Sequence, residues 1–192
     1  GIDLRLYEGV YFTLAMEWQQ FLSSIGHLPV QSHARIQKAF ELGKTLHEGQ
    51  TRKSGEPYFV HPIAVAQKLA ANGADEDTII AALLHDAVDD TPATLEDVER
   101  KFGPVVKKLI DGVTKLTASE VSGPNLNEQT ETLRKIFRLM QEDPRIMVIK
   151  LFDRLHNMET AEFLNRQKQL ALALETNDVY VKIADRLCMQ DL

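Results

Sequence analysis

The run Ala81-Ala82-Leu83-Leu84-His85-Asp86-Ala87-Val88-Asp89-Asp90-Thr91 constrains the chain most. It continues an apolar, helix-like segment that begins near Asp75, yet carries four ionisable side chains in six residues. An unpaired charge is expensive to bury, so a buried helix seldom tolerates that density. At about 100° per residue, His85 and Asp89 share one helix face and Asp86 and Asp90 another. A divalent cation relieves the cost of three carboxylates so close together. The stretch therefore points to a metal site with two further carboxylates beside it.

Helical periodicity dominates the rest, and strand signals are scarce. Residues 3–24 form an apolar, aromatic-rich segment broken by Leu28-Pro29-Val30. A helix follows from about Ser32 to His47, with Ile36, Ala39, Phe40 and Leu46 on one stripe. Gly43 falls on that stripe and permits close packing. The segment 50–58 reads as a loop punctuated by Gly55 and Pro57, with Pro57 placed to open the next helix, to about Asn72. Asp75 is the expected N-cap of the helix holding His85 and Asp86, which Thr91-Pro92 closes. Thr94 to Asp97 reads as a capping box, for a helix stopping at Gly103. Pro104 restarts a helix to about Leu116, with Val105, Leu109, Ile110 and Val113 inward. Residues 118–127 read as a mobile loop and 130–141 as a helix. Asp143 is the expected N-cap of a helix apolar nearly all round, hence central, that ends in Asp153-Arg154-Leu155-His156-Asn157. A last helix covers about Gln167 to Cys188. The pattern predicts one all-α domain of about eight to ten helices with short loops, spanning residues 1–192, with 1–31 as a helical extension.

The 192 residues suffice for a core without staples. A net charge of −6 argues against nucleic-acid or anionic-membrane partners. It leaves room for a small phosphorylated substrate held by a local basic patch. No apolar run approaches the roughly 18 residues of a membrane span, and no signal peptide is recognisable. The lone Cys188 excludes an internal disulfide and fits a reducing, cytoplasmic setting.

Three places put metal-ligand side chains in apolar helical surroundings: His61, His85-Asp86 and Asp153. Two imidazoles and two carboxylates suit a borderline divalent ion such as Mn²⁺, Fe²⁺ or Zn²⁺. Without a cysteine ligand, a structural zinc site is disfavoured. Four protein ligands leave room for a bound water, which such an ion makes a nucleophile near neutral pH.

The order His, His-Asp, Asp resembles the HD superfamily of metal-dependent phosphohydrolases. The likeness is closer still to the RelA/SpoT-type alarmone hydrolases, in four ordered stretches. These are Arg52-Lys53-Ser54-Gly55-Glu56-Pro57-Tyr58-Phe59-Val60-His61-Pro62, Leu83 to Thr91, Asp111-Gly112-Val113-Thr114-Lys115-Leu116, and Lys150 to Met158. The resemblance covers roughly residues 34–192 and implies an HD-type helical bundle. It also implies removal of the 3′-pyrophosphate of guanosine tetra- and pentaphosphate, (p)ppGpp, in the stringent response. The products are GDP or GTP and pyrophosphate, and the cofactor is one Mn²⁺. Carried over by position, it implies His61, His85, Asp86 and Asp153 as metal ligands and Asp89 and Asp90 as the catalytic acids. Arg52 would stack on guanine, with Lys53, Ser54, Asn157 and Thr160 around the nucleotide.

Two departures stand out. Asp89 occupies a place where the family usually has Glu; its carboxylate sits about 1.5 Å further back, enough to slow catalysis. Phe152 replaces a smaller residue, so the side chains around it must pack differently. His156 reads as structural, and Glu175, Asp178 and Arg186 as a solvated face, although the resemblance places their helix near the nucleotide pocket; His27, His33 and His47 carry no signal. Residues 183–192 resemble the segment leading to a synthetase domain. The expectation is therefore a hydrolase domain from a longer parent, with a naturally short hydrolase as the alternative. The competing functional reading is a weakly active or inactive regulatory domain that binds nucleotide or a partner domain.

Overall fold

In the computed structural model of the chain, the described residues are 18–120, 134, 136–187 and 189. The expectations for residues 3–17, for 121–127 of the loop, for the start of the 130–141 helix and for Cys188 lie outside them. Among the described residues the chain is all-α. The helices are α1 (Val30–Leu46), α2 (Val60–Ala71), α3 (Glu76–Leu84), α4 (Ala87–Asp90), α5 (Leu95–Phe102), α6 (Pro104–Glu120), α7 (Pro144–Glu159), α8 (Arg166–Glu175) and α9 (Val181–Arg186). Residues 18–24 and 136–142 are also helical. No strand forms among these residues; a bridge between Thr51 and Pro57 closes the loop before α2.

Helix α3 is the hub. Every residue from Thr78 to Leu84 is buried, because α1, α2, α6 and α7 all pack on it. That explains its uninterrupted apolar sequence. Gly43 of α1 makes the approach close: a Cβ there would run into the Phe59 ring and stand 3.0 Å from the Leu83 carbonyl. Gly112 does the same for α6 against α7, where a Cβ would overlap the Ile146 side chain.

The caps follow local chemistry. Asp75 accepts from the Thr78 amide and Asp143 from the Arg145 amide. Thr94 and Asp97 complete a reciprocal capping box. Three expectations need correction. Pro57 does not open α2, which begins at Val60; Pro57 is held instead in the Thr51 bridge. Val105 is 39% exposed, and its neighbour Val106 takes the core position. Helix α6 runs past Leu116 to Glu120, through the first residues expected to be loop.

The helix through the metal-binding stretch is also interrupted. His85 Nδ1 lies 2.8 Å from the Ala82 carbonyl, the acceptor an unbroken helix would offer the Asp86 amide. The backbone loosens at 85–86 before α4 resumes. The last predicted helix is likewise divided. A π-turn at Thr176–Tyr180 joins α8 to α9, just after the Thr176 hydroxyl takes the Leu172 carbonyl at 2.7 Å.

Candidate metal centre and nucleotide cleft

Four side chains from three elements converge above the C-terminal end of α3. His61 stands in the first turn of α2, His85 and Asp86 follow α3, and Asp153 lies on α7. His61, His85 and Asp153 are only 4, 3 and 5% exposed. His61 Nε2 is 3.1 Å from Asp153 Oδ1 and 3.8 Å from Asp86 Oδ2. His85 Nε2 is 3.1 Å from Asp86 Oδ1 and 4.0 Å from Asp153 Oδ1. One ligand atom each from His61, His85 and Asp153 can be chosen so that all lie within 4.8 Å of one another. With metal–ligand bonds of about 2.0–2.2 Å, neighbouring ligands stand about 3 Å apart and opposite ones about 4.4 Å. The four nitrogen–oxygen separations fall in that interval.

The hydrogen bonds behind the imidazoles decide which nitrogen faces the centre. Arginine only donates. Arg52 Nη1, 3.2 Å from His156 Nδ1, therefore makes that nitrogen an acceptor. His61 Nδ1, 2.8 Å from the same atom, must then carry a proton. His85 Nδ1 likewise donates to Ala82 O at 2.8 Å. A neutral ring at either position therefore turns a bare Nε2 inward, and His85 Nε2 is buried with no hydrogen-bond partner. A bare nitrogen facing a carboxylate oxygen at 3.1 Å needs a cation between them, a proton or a metal ion. Around one shared centre, a single divalent ion meets that need at both pairs, so the donor set fits a metal.

Charge around the centre is arranged to keep Asp153 ionised. Burial alone would raise the Asp153 carboxyl. The Lys150 ammonium, 2.9 Å away and itself buried, holds it well below the usual carboxylate range. Asn157 Nδ2 donates to its other oxygen at 2.8 Å. Burial pushes the His156 imidazole down to about 4, with the Arg52 charge adding to the effect, so it stays neutral.

Asp89 and Asp90 sit on the α4 side. Tyr58 reaches Asp90 Oδ2 at 2.8 Å and Asp86 Oδ2 at 3.1 Å. Its single proton serves one at a time. Burial, then the charge of Asp86 and a hydrogen bond to Asp90, raise its pKa far above normal, so it remains a phenol donor. Burial also raises the Asp89 carboxyl, Thr114 works against that, and the charges of Asp86 and Asp90 add to it.

A cleft of about 560 Å³ opens over the centre, in the size range of a small-molecule site. It brings together Arg52, Lys53 and Ser54 from the loop, His61, Asp86 and Asp153 from the centre, and Asn157 and Thr160 from the end of α7. His85, Asp89 and Asp90 are not in its lining. Gly55, at φ 88°, makes the tight turn that presents the loop residues. Arg52 is folded onto α7, with Nη2 3.3 Å from Asn157 Oδ1 and 3.4 Å from Thr160 Oγ1. Lys53, exposed at the rim, has its pKa lowered by the neighbouring Lys168.

Sequence reasoning missed Tyr58, Lys150, Arg154, His156 and Glu175. Lys150 had left a signal, as a cation inside an apolar run. Glu175 is a correction: it belongs to no solvated face but lines the cleft and pairs with Arg154 at 2.9 Å. Arg154 in turn lies 4.3 Å above the Tyr180 ring, fixing α7 to the π-turn.

Comparison with known proteins places these features in context. The profile of a family described as HD domain matches residues 39–190. A GTP pyrophosphokinase of Streptomyces coelicolor is 48% identical over 82% of this chain and 18% of its own length. A guanosine-3′,5′-bis(diphosphate) 3′-pyrophosphohydrolase of Aquifex aeolicus is 44% identical over 85% of this chain and 23% of its own. The bifunctional (p)ppGpp synthase/hydrolase SpoT of Escherichia coli is 44% identical over 84% and 23%. The chain thus spans about a fifth of the length of these curated relatives. Among solved structures, a metazoan SpoT orthologue, described as hydrolysing ppGpp and acting in starvation responses, superposes with a TM-score of 0.54. It is 30% identical, over 71% of this chain and 78% of that one.

Proposed function

The chain belongs to the HD-domain family, in its RelA/SpoT-type branch, and from that premise we propose that it is a Mn²⁺-dependent (p)ppGpp 3′-pyrophosphohydrolase. The observation that carries this reading is the meeting of His61, His85, Asp86 and Asp153 beneath a cleft rimmed by Arg52, Lys53 and Ser54. The metal, when bound, supplies an acidified water and neutralises charge on the phosphate. The mixed nitrogen and oxygen donors suit a borderline divalent ion, and the family resemblance is what selects Mn²⁺ among such ions.

The chain's own residues do the rest. Asp89, with its raised carboxyl pKa, and Asp90, positioned by Tyr58, are the groups that accept and pass on the water's proton. Lys150 and Asn157 hold Asp153 in one orientation. Arg52, held against α7, offers its planar guanidinium to the guanine face. Lys53 and Ser54 meet phosphate oxygens, and Asn157 and Thr160 close the other wall. Among the described residues no helix is long and apolar enough to cross a membrane, in keeping with a cytoplasmic enzyme acting on a free nucleotide. The bifunctional name of the SpoT relative supports a synthetase unit as a partner in a longer parent.

The test is a product assay by anion-exchange chromatography. With Mn²⁺, ppGpp should yield GDP and pyrophosphate in equal amounts. A chelator or Asp86→Ala should abolish turnover. Release of orthophosphate would contradict the reaction. Intact ppGpp with measurable nucleotide binding would establish the regulatory reading instead.

A further inference from the structure

His156 is buried, 8% exposed, and outside the proposed ligand set. Its neighbourhood joins the two halves of the site. Nδ1 is 2.8 Å from His61 Nδ1 on one side and 3.2 Å from Arg52 Nη1 on the other. The rings of His61 and His156 lie 4.8 Å apart, inclined at 52°. As argued above, arginine cannot accept, so one lone pair on His156 receives both donors.

We propose that His156 is a positioning residue that sets the metal ligand and the nucleotide clamp together. This rests on reading the site as a metal and guanine-nucleotide centre. Towards the metal, accepting the His61 Nδ1 proton fixes the tautomer whose bare Nε2 faces the ion. A bond behind a ligand histidine also orients its ring and raises its basicity; losing such a bond typically costs about 10–100-fold in metal affinity. Towards the nucleotide, the same acceptor holds one arm of Arg52 at the cleft wall, while Asn157 and Thr160 hold the other. The guanidinium is then ordered before ligand arrives, which reduces the entropy lost on binding. Three residues distant in sequence thereby act as one unit, and truncating the middle one disturbs both ends.

His156→Phe keeps a ring of similar size and removes the acceptor. His156→Asn keeps an acceptor near the Nδ1 position. Each variant is first shown to be folded by circular dichroism and thermal melting. Mn²⁺ affinity without nucleotide, and GDP affinity, are then measured by titration calorimetry. His156→Phe should weaken Mn²⁺ binding about 10–100-fold and GDP binding several-fold, with His156→Asn restoring much of both. In an Arg52→Ala background, His156→Phe should have little further effect on GDP binding, as expected for coupled neighbours. A folded His156→Phe protein with unchanged Mn²⁺ affinity would overturn the proposal. So would an Asn variant as damaged as the Phe variant, which would mark a role in packing alone. A wild-type protein that binds no Mn²⁺ would overturn this proposal and the metal reading together. One that binds Mn²⁺ and GDP as described but leaves ppGpp intact would remove only the hydrolase reading.

Discussion

His85 turns its Nε2 inward because its other nitrogen is engaged by a carbonyl three residues back. A local backbone bond thus prepares a candidate ligand, and its locality is why the residue stands out in the sequence. A His-Asp pair ending an apolar run has few other uses. Asp86 and Asp153 were legible on the same ground, as charges in apolar surroundings. His156 and Tyr58 were not. The roles of these two residues depend on meeting His61, 95 residues away from His156, and Asp86, 28 away from Tyr58, and spacing alone carries no such information. Asp89 yields the prediction at this scale. Its carboxylate is one methylene shorter than Glu, and misplacement of about an angstrom costs roughly 10²-fold in rate. Asp89→Glu should therefore raise kcat for ppGpp by about 10-fold or more with little change in KM. An unchanged or lower kcat would show that the short acid is not limiting.

Two of the three elements that carry ligands are anchored at their starts by one residue. Arg145 binds Asp143, the N-cap of α7, at 2.7 Å and Asp75, the N-cap of α3, at 2.9 Å. Both caps were readable, since capping is local chemistry. The bridge between them was not, because it spans 70 residues. The breaks at His85 and at the π-turn were also hidden, as each arises where a side chain takes a helix carbonyl. Arg145→Ala should cost roughly 0.5–1 kcal/mol, since both bridges are partly exposed, and lower Tm by about 2 °C. The same bridge sets an acid dependence. Asp143 is lowered chiefly by Arg145; Asp75, though burial opposes it, is lowered by Thr78 and Arg145. Their stabilisation is fully present above pH about 4, near the unfolded carboxyl pKa, and is lost as pH falls through the folded values. Acid titrations of stability should thus be shallower in Arg145→Ala than in wild type below that pH. Gly112→Val tests the packing of α6 on α7. With Ile146 already filling the space, overpacking should cost about 1–3 kcal/mol in chemical denaturation, whereas tolerance would mean that the helices slide apart freely.

For the molecule as a whole, the centre joins α2, α7 and the segment after α3, which local contacts alone leave separate in sequence. A metal bound there acts as a staple on the native state only. At a free Mn²⁺ concentration of 100 Kd, mass action adds about 2.7 kcal/mol, or about 5–10 °C in Tm for a chain of this size. Chelation should reverse that gain, and Asp153→Asn should largely remove it. The all-α class was legible throughout, because 3.6-residue periodicity and Gly and Pro punctuation recur along the chain. Which helix is the hub was half legible: α7 reads as central and does pack on α2, α3 and α6, whereas the enclosure of α3 by four neighbours is revealed only by packing. The central claim is that His61, His85, Asp86 and Asp153 share one divalent ion. Anomalous diffraction at the manganese edge, from crystals grown with Mn²⁺, tests it most directly. The account predicts one strong peak about 2.0–2.3 Å from His61 Nε2, His85 Nε2 and an oxygen of each aspartate. No peak there, or a peak confined to surface carboxylates, would contradict it.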